Sequence, residues 1–362
     1  MSRKCLVLVV VLVVVAGSVG AFAQNWTLGT GPIPVDKLAA LAAKEGNVFV
    51  TYGVPENWAG YKELFQLFKA KYGIQHFDTD LSSGEAIAKM KAEKGNPQAD
   101  VSDIGITWGP MAVTEGVAAN YKHRYWNDII ASYKDPNGAW CAWYTATVMM
   151  MVNESAVPKV PRSWKDLLDP MYKGKVSIGD PRVGATYNAA FWAANLAMGG
   201  SETNIDPGIA YFKKLKQMGN LVQFEPSEAL FAKGEIPIYF GWDCLFLNWA
   251  KDLRATAGMH ISNVIPTDGS VSMPHVCLIN SSAPHPATAR LWAEFMLSDE
   301  AQIINAKYFT RPARQSVKLP PEIEALYPPK SDYASVKSID WAKTNAIKNE
   351  FIKRWTDEVL SE

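Results

Sequence analysis

Apolar positions along the chain fall into short runs that alternate between two periods. Residues 47–53, NVFVTYG, make a compact run of strand length. After the polar turn VPENW, the segment YKELFQLFKAKYG sets Leu64, Phe65, Phe68 and Tyr72 on one helical face, and Gly73 stops it. Residues 74–80 predict a second extended run. SSGEAIAKMKAEKG predicts a helix beginning at Ser82 or Ser83, with Glu85 in its first turn. ADVSDIGITWG predicts a further strand with Trp108 at its end. Strand, loop and helix in repeated order predict α/β lobes built on parallel pairing.

The middle of the chain departs from this rhythm. WCAWYTATVMMMVN, residues 140–153, is a long apolar run rich in β-formers, and prolines punctuate the stretch VPKVPRSWKDLLDPMYKGKVSIGDP. The alternation then resumes through KVSIGD, PRVGAT and YNAAFWAANLAMGG. Helices are predicted over 208–219 and 228–233, a strand over 235–241, and extended chain over 259–280. PATARLWAEFMLSDEAQIINAKY predicts helices with apolar faces, and an amphipathic segment covers 339–358. Neither internal repeats nor low-complexity stretches interrupt the pattern.

Composition narrows the class. Hydrophobic residues make up 48% of the chain, enough for sizeable cores, and 36 basic against 36 acidic residues leave no charge footprint for nucleic acid or an anionic membrane surface. The N-terminus MSRKCLVLVVVLVVVAGSVGAFAQ has a basic head at Arg3 and Lys4, an apolar run from Cys5 to Ala16, and small residues at Ala21 and Ala23. This is the form of a secretory signal peptide cleaved near Ala23, and the run is shorter than the roughly 20 residues of a bilayer span. No cysteine follows the run, so a lipoprotein anchor is not expected. The mature chain keeps Cys141, Cys244 and Cys277, an odd number that makes no disulfide framework. Buried free thiols are expected, with a Cys244–Cys277 bridge as the open alternative.

Catalytic signatures are missing: there is no HExxH, GxSxG, GxxxxGK[ST] or CxxC, and the histidines at 76, 123, 260, 275 and 285 have no ligand-like spacing. A secreted α/β hydrolase is therefore disfavoured, and no cofactor or metal is expected.

The run SWKDLLDPMYKGKVSIGDPRVGATYNAAF, residues 163–191, closely resembles a block of the periplasmic solute-binding proteins of ABC importers with the type II fold. Within them it is similar to the branch of ferric-ion, polyamine, thiamine and phosphonate binders. LFQLFKAKYGI, SSGEAIAKMKAEKGNPQADV, KGEIPIYFGWD and ATARLWAEFMLSDEAQ follow in the family's order. The resemblance implies an α/β fold of two lobes, each a mixed sheet flanked by helices, joined by two crossovers that act as a hinge. Lobe 1 would hold 24–147 and 272–362, and lobe 2 would hold 148–271. It implies a periplasmic, monomeric protein that captures a small-molecule ligand, hands it to an ABC permease in the inner membrane, and makes no bond.

Ligands of open α/β sheets sit beyond the carboxyl ends of strands, which directs attention to the loops there. Tyr52 ends the first strand. Ser82, Ser83 and Gly84 open a helix whose free N–H groups suit an anion. Trp108 offers a wall. In the second lobe Arg182 can clamp an anion, and Gly184, Ala185, Thr186 and Tyr187 open another helix. The strand IPIYFGWDC delivers Trp242 beside Asp243, an aromatic face with a carboxylate, the chemistry that holds an amine. His275 lies on the return crossover. Two helix N-termini with Trp242 and Asp243 suit a ligand carrying an anion and an amine, such as an aminoalkylphosphonate. A polyamine is the alternative, held by Glu225, Glu228 and Asp243; sugar phosphate and ferric ion follow. Single tyrosines at 187, 239 and 308 lack the adjacent pair expected of a ferric site. A receptor-docking sensory role shares the same sequence features.

Overall fold

The computed structural model describes residues 28–222, 227–337 and 339–361. The predicted signal peptide and Glu225 lie outside the described residues.

Among the described residues, ten strands form the framework: β1 Val48–Tyr52, β2 Gln75–Thr79, β3 Val101–Gly105, β4 Cys141–Asn153, β5 Val176–Ser177, β6 Ile238–Trp242, β7 Ile261–Val264, β8 Ser270–Ile279, β9 Arg311–Pro312 and β10 Val336–Lys337. β1 runs parallel to both β2 and β3, and β3 pairs antiparallel with β8. The strand order β2-β1-β3-β8-β4-β6-β5 carries one continuous path from the first lobe into the second.

β4 makes the transition. Its first half, from Cys141 to Thr147, pairs with β8; from Val148 to Val152 it pairs with β6 instead. All 13 of its residues are buried, because both of its faces are covered, and this explains an apolar run without alternation. At the crossing the Thr147 and Ser272 hydroxyls lie 2.6 Å apart, and Ser270 Oγ donates to the Val148 carbonyl at 2.6 Å. The crossing lies at Thr147 and Val148 of β4 and at Ser270 to Ser272 of β8.

The first lobe is centred on an aromatic core in which Phe49, Phe65, Phe68, Trp292 and Phe295 meet at centroid distances of 4.9 to 6.5 Å. The helix Tyr61–Tyr72 supplies Leu64, Phe65 and Phe68 to it, the face read from its spacing. In the second lobe Trp164 stacks on Phe240 at 3.9 Å, and Phe191 and Phe212 pack beside them.

Two expectations need correction. The strand through Trp108 ends at Gly105; Ile106–Trp108 is a 3-10 turn leading into the helix Gly109–Thr114, where Pro110 favours a helix start over further strand. The C-terminal segment does not stay with lobe 1. Phe351 packs on Phe191 at 4.5 Å, Trp355 on Phe212 at 5.1 Å, and Arg354 pairs with Asp206 at 2.5 Å. Its apolar face covers helices Ala185–Ala197 and Asp206–Gln217 of the second lobe.

Candidate functional site

A solvent-open cleft with about 1070 Å³ of empty space lies between the lobes. It is lined by Gly53, Pro55, Asn57, Trp58, Asp80, Leu81, Ser82, Ser83, Gly84, Asp103, Trp108 and His275, and across from these by Val183, Gly184 and Ala185.

Local sequence brings these groups to the rim. Gly53 turns the chain out of β1 at φ +71°, and a Cβ there would come within 2.5 Å of the Leu81 carbonyl oxygen, so only glycine lets these two loops meet. Ser82 is the N-cap of helix Ser83–Ala92, and Glu85 reaches back to accept from the Ser82 N–H at 2.9 Å and its hydroxyl at 2.6 Å. Those bonds hold the Glu85 carboxyl below its usual range. Ser83 Oγ accepts from the Gly105 N–H at 3.2 Å and ties the helix start to the end of β3. Gly84 carries no Cβ, which would sit 2.8 Å from the Trp108 ring; its absence lets the indole close over the helix N-terminus.

From the second lobe, helix Ala185–Ala197 has Gly184 as its N-cap residue, which has no side chain to cap the first-turn N–H groups. A Cβ on Gly184 would lie 2.4 Å from the Tyr187 ring, and one on Gly179 would lie 2.7 Å from it. Tyr187 thus fills a notch made by two glycines. Two helix N-termini, one from each lobe, open on one cleft, each with first-turn N–H groups and the positive end of a helix dipole.

The floor is a polar network on an aromatic base. Asp103 is 7% exposed and accepts from Tyr144 Oη at 2.6 Å, Tyr61 Oη at 2.8 Å and Trp143 Nε1 at 3.3 Å. Burial, reinforced by the Asp103 charge, pushes both tyrosine hydroxyls well above their ordinary range. His275 Nδ1 lies 3.3 Å from Asp103 Oδ1, its ring stacks on Tyr144 at 4.9 Å, and Trp58 flanks it at 6.1 Å. A carboxylate beside Nδ1 favours the tautomer protonated there, which leaves Nε2 as an acceptor. Nε2 is buried and has no partner among the described residues.

Next to the cleft, a smaller cavity with about 460 Å³ of empty space shares Trp108, Val183, Gly184 and Ala185, and is also lined by Arg182 and Lys348. Lys348 Nζ sits 4.2 Å above the Trp108 ring, and burial lowers its pKa. Arg182 is held by Asp180, with Nη2 2.6 Å from Oδ2.

The structure therefore gathers Ser82, Ser83, Gly84, Trp108, Gly184, Ala185 and His275 at one cleft, with Arg182 beside it. Five other residues named from the sequence lie elsewhere. Tyr52 is buried, donates to Glu93 Oε2 at 2.7 Å, and packs under Lys89 on the far side of its helix. Thr186 and Tyr187 follow the helix start but are not part of the cleft wall. Trp242 is 1% exposed and packs edge-on behind His275 at 6.1 Å. Asp243 is fully buried: its Oδ1 accepts from the Thr147 N–H at 2.8 Å and the Cys244 N–H at 2.9 Å, and Oδ2 accepts from Tyr333 Oη at 3.3 Å. It fastens the crossing of β4 instead of facing a ligand. Trp58, Asp80, Asp103 and Lys348 are cleft or cavity residues that sequence reasoning missed. Asp103 alone carried a signal, a carboxylate inside an apolar strand.

Two α/β lobes joined by crossing strands, with an open cleft served by helix N-termini from both sides, define a type II periplasmic binding protein, which captures a solute and performs no chemistry on it. The chain belongs to the bacterial extracellular solute-binding protein family, whose model matches residues 96–346. It is 26% identical over 247 residues to the "Putative 2-aminoethylphosphonate-binding periplasmic protein" of Salmonella typhimurium, covering 67% of this chain and 70% of the relative. To the spermidine/putrescine-binding periplasmic protein of Escherichia coli it is 24% identical over 327 residues, covering 84% and 89%. The periplasmic binding protein AfuA of Actinobacillus pleuropneumoniae, solved with exogenous fructose 6-phosphate, has the same fold: TM-score 0.71, 24% identity, 87% of this chain and 99% of that one. The protein is a periplasmic solute-binding component of an ABC importer, with a small-molecule ligand and a permease partner.

Proposed function

We propose that the cleft captures a small zwitterion, an amine bearing a phosphonate, phosphate or carboxylate group, of which 2-aminoethylphosphonate is the simplest candidate. The observation that carries this reading is the pair of helix N-termini, at Ser83-Gly84 and Gly184-Ala185, opening on one cleft from opposite lobes. Their N–H groups and dipoles favour an anion, and Lys348 beside the second adds positive charge, while Arg182 there is already paired with Asp180. The amine end is served by the Asp103 carboxylate, the His275 Nε2 lone pair, and the faces of Trp58 and Trp108. A ligand touching both lobes binds the closed form better than the open form and so draws the hinge shut. As one chain, a monomer suffices for this. The Salmonella relative's name agrees with the reading.

A polyamine is the second reading. Asp80 and Asp103 with two tryptophan faces favour it, as does the likeness to the spermidine/putrescine binder.

Ser83→Asp separates the two. A carboxylate in the first turn suits the helix and adds roughly 0.3–1 kcal/mol to its stability. It also fills the anion seat with negative charge. Calorimetric affinity for 2-aminoethylphosphonate should fall about tenfold or more, near 1.4 kcal/mol, while the unliganded melting temperature holds or rises. Unchanged affinity, or a gain for spermidine with no wild-type binding of the phosphonate, would favour the polyamine.

A further inference from the structure

We infer that Cys141 and Cys277 are joined by a disulfide in the exported protein, and that this bond ties together the two strands that cross between the lobes. Cys141 opens β4 and stands directly opposite Cys277 of β8 in antiparallel register. Residues opposed in this way project to the same face with Cα atoms about 4.5–5.5 Å apart, inside the 4.4–6.8 Å span of disulfides. Both side chains line one small pocket, together with His123, Trp140 and Trp143, so the two cysteines face the same space.

Cys244 is not placed to compete. It follows Asp243, whose carboxylate is bonded to Thr147 at the other end of the β4–β8 pairing, and it does not line this cavity. The bridge considered from sequence, Cys244–Cys277, is thus replaced by one whose partners the sheet register sets face to face.

The chemistry is thiol–disulfide exchange with an external disulfide as oxidant, as a periplasmic setting supplies. The Cys141 thiolate attacks one sulfur of the external disulfide and expels the other as a thiolate, which is protonated. The Cys277 thiolate then attacks Cys141 Sγ and expels the second thiol. The cysteine pair loses two electrons and two protons, and the external disulfide becomes two thiols. Cys141 and Cys277 are only 5% and 7% exposed, and burial raises both thiols, so exchange belongs to the folding chain, before the core closes.

The test uses the full mature chain refolded with oxidised glutathione, and the same chain exported to a bacterial periplasm. Each is denatured without reductant, alkylated with iodoacetamide, digested and read by mass spectrometry. The expected result is one alkylated cysteine, Cys244, and a cross-linked peptide pair joining Cys141 to Cys277. Cys244→Ser should keep the cross-link, and Cys141→Ser should leave Cys244 and Cys277 both alkylated. Three alkylated cysteines in the wild-type chain, or a cross-link that includes Cys244, overturn the inference.

Discussion

His275 stands where three aromatic rings and one carboxylate meet. Tyr144, Trp58 and Trp242 hold its ring, Asp103 sits by Nδ1, and Nε2 has no partner among the described residues, the atom we propose for the ligand's amine. His275→Ala should weaken binding of 2-aminoethylphosphonate by about 1 kcal/mol or slightly more, roughly five- to tenfold, the net worth of one hydrogen bond. Binding of methylphosphonate, which has no amine, should change much less. Calorimetry on both compounds checks this, and an equal loss for the two would mean that the histidine shapes the cleft without meeting the amine. Residues of this kind were unevenly visible in the sequence. Ser82–Gly84 and Gly184-Ala185 follow strands and start helices, so local pattern places them. Trp58 lies in a loop without period, and Lys348 comes to Trp108 from 240 residues away in the chain. Neither distance nor direction across a cleft is encoded in spacing.

At the scale of elements, the crossing of β4 with β6 and β8 depends on Asp243. Trp242-Asp243 at a strand end resembles a ligand seat, because the sequence cannot show that the Thr147 amide, 96 residues earlier, needs that carboxylate. Burial raises the Asp243 carboxyl to about 6. The folded chain therefore holds a proton there over a range in which the unfolded chain has lost it. Stability from this group is fully present below about pH 4, falls as pH rises to about 6, and is flat above. Asp243→Asn keeps an oxygen for both N–H donors and removes the titration. It should lie within about 1 kcal/mol of wild type at neutral pH and lose this fall in stability between mildly acidic and neutral conditions. Asp243→Ala strands two buried N–H groups and should cost about 2–4 kcal/mol. Urea melts at both pH values measure these differences. An Asn variant as unstable as the Ala variant would show that the negative charge, facing Arg311, matters more than the acceptor.

At the scale of the whole molecule, the two long extended runs, 140–153 and 259–280, were legible as strands because they carry no helical period, whereas the lobe bounds came only from the family resemblance. The C-terminal segment was harder still. Its amphipathic pattern announces a buried face, but Phe351 and Trp355 could not declare which lobe supplies the groove; Phe191 and Phe212 do. That segment brings Lys348 to Trp108, so chain from three regions meets at the cleft's edge. We propose that this arrangement recognises an anion and an amine on one small molecule. Isothermal titration of the mature protein with 2-aminoethylphosphonate, with spermidine as the comparison, tests it most directly. Saturable one-to-one binding of the phosphonate with a Kd of about 1 μM or tighter, near −8 kcal/mol, and no binding of spermidine is the result expected. Saturable heat with spermidine alone would contradict it and reassign the cleft to cations.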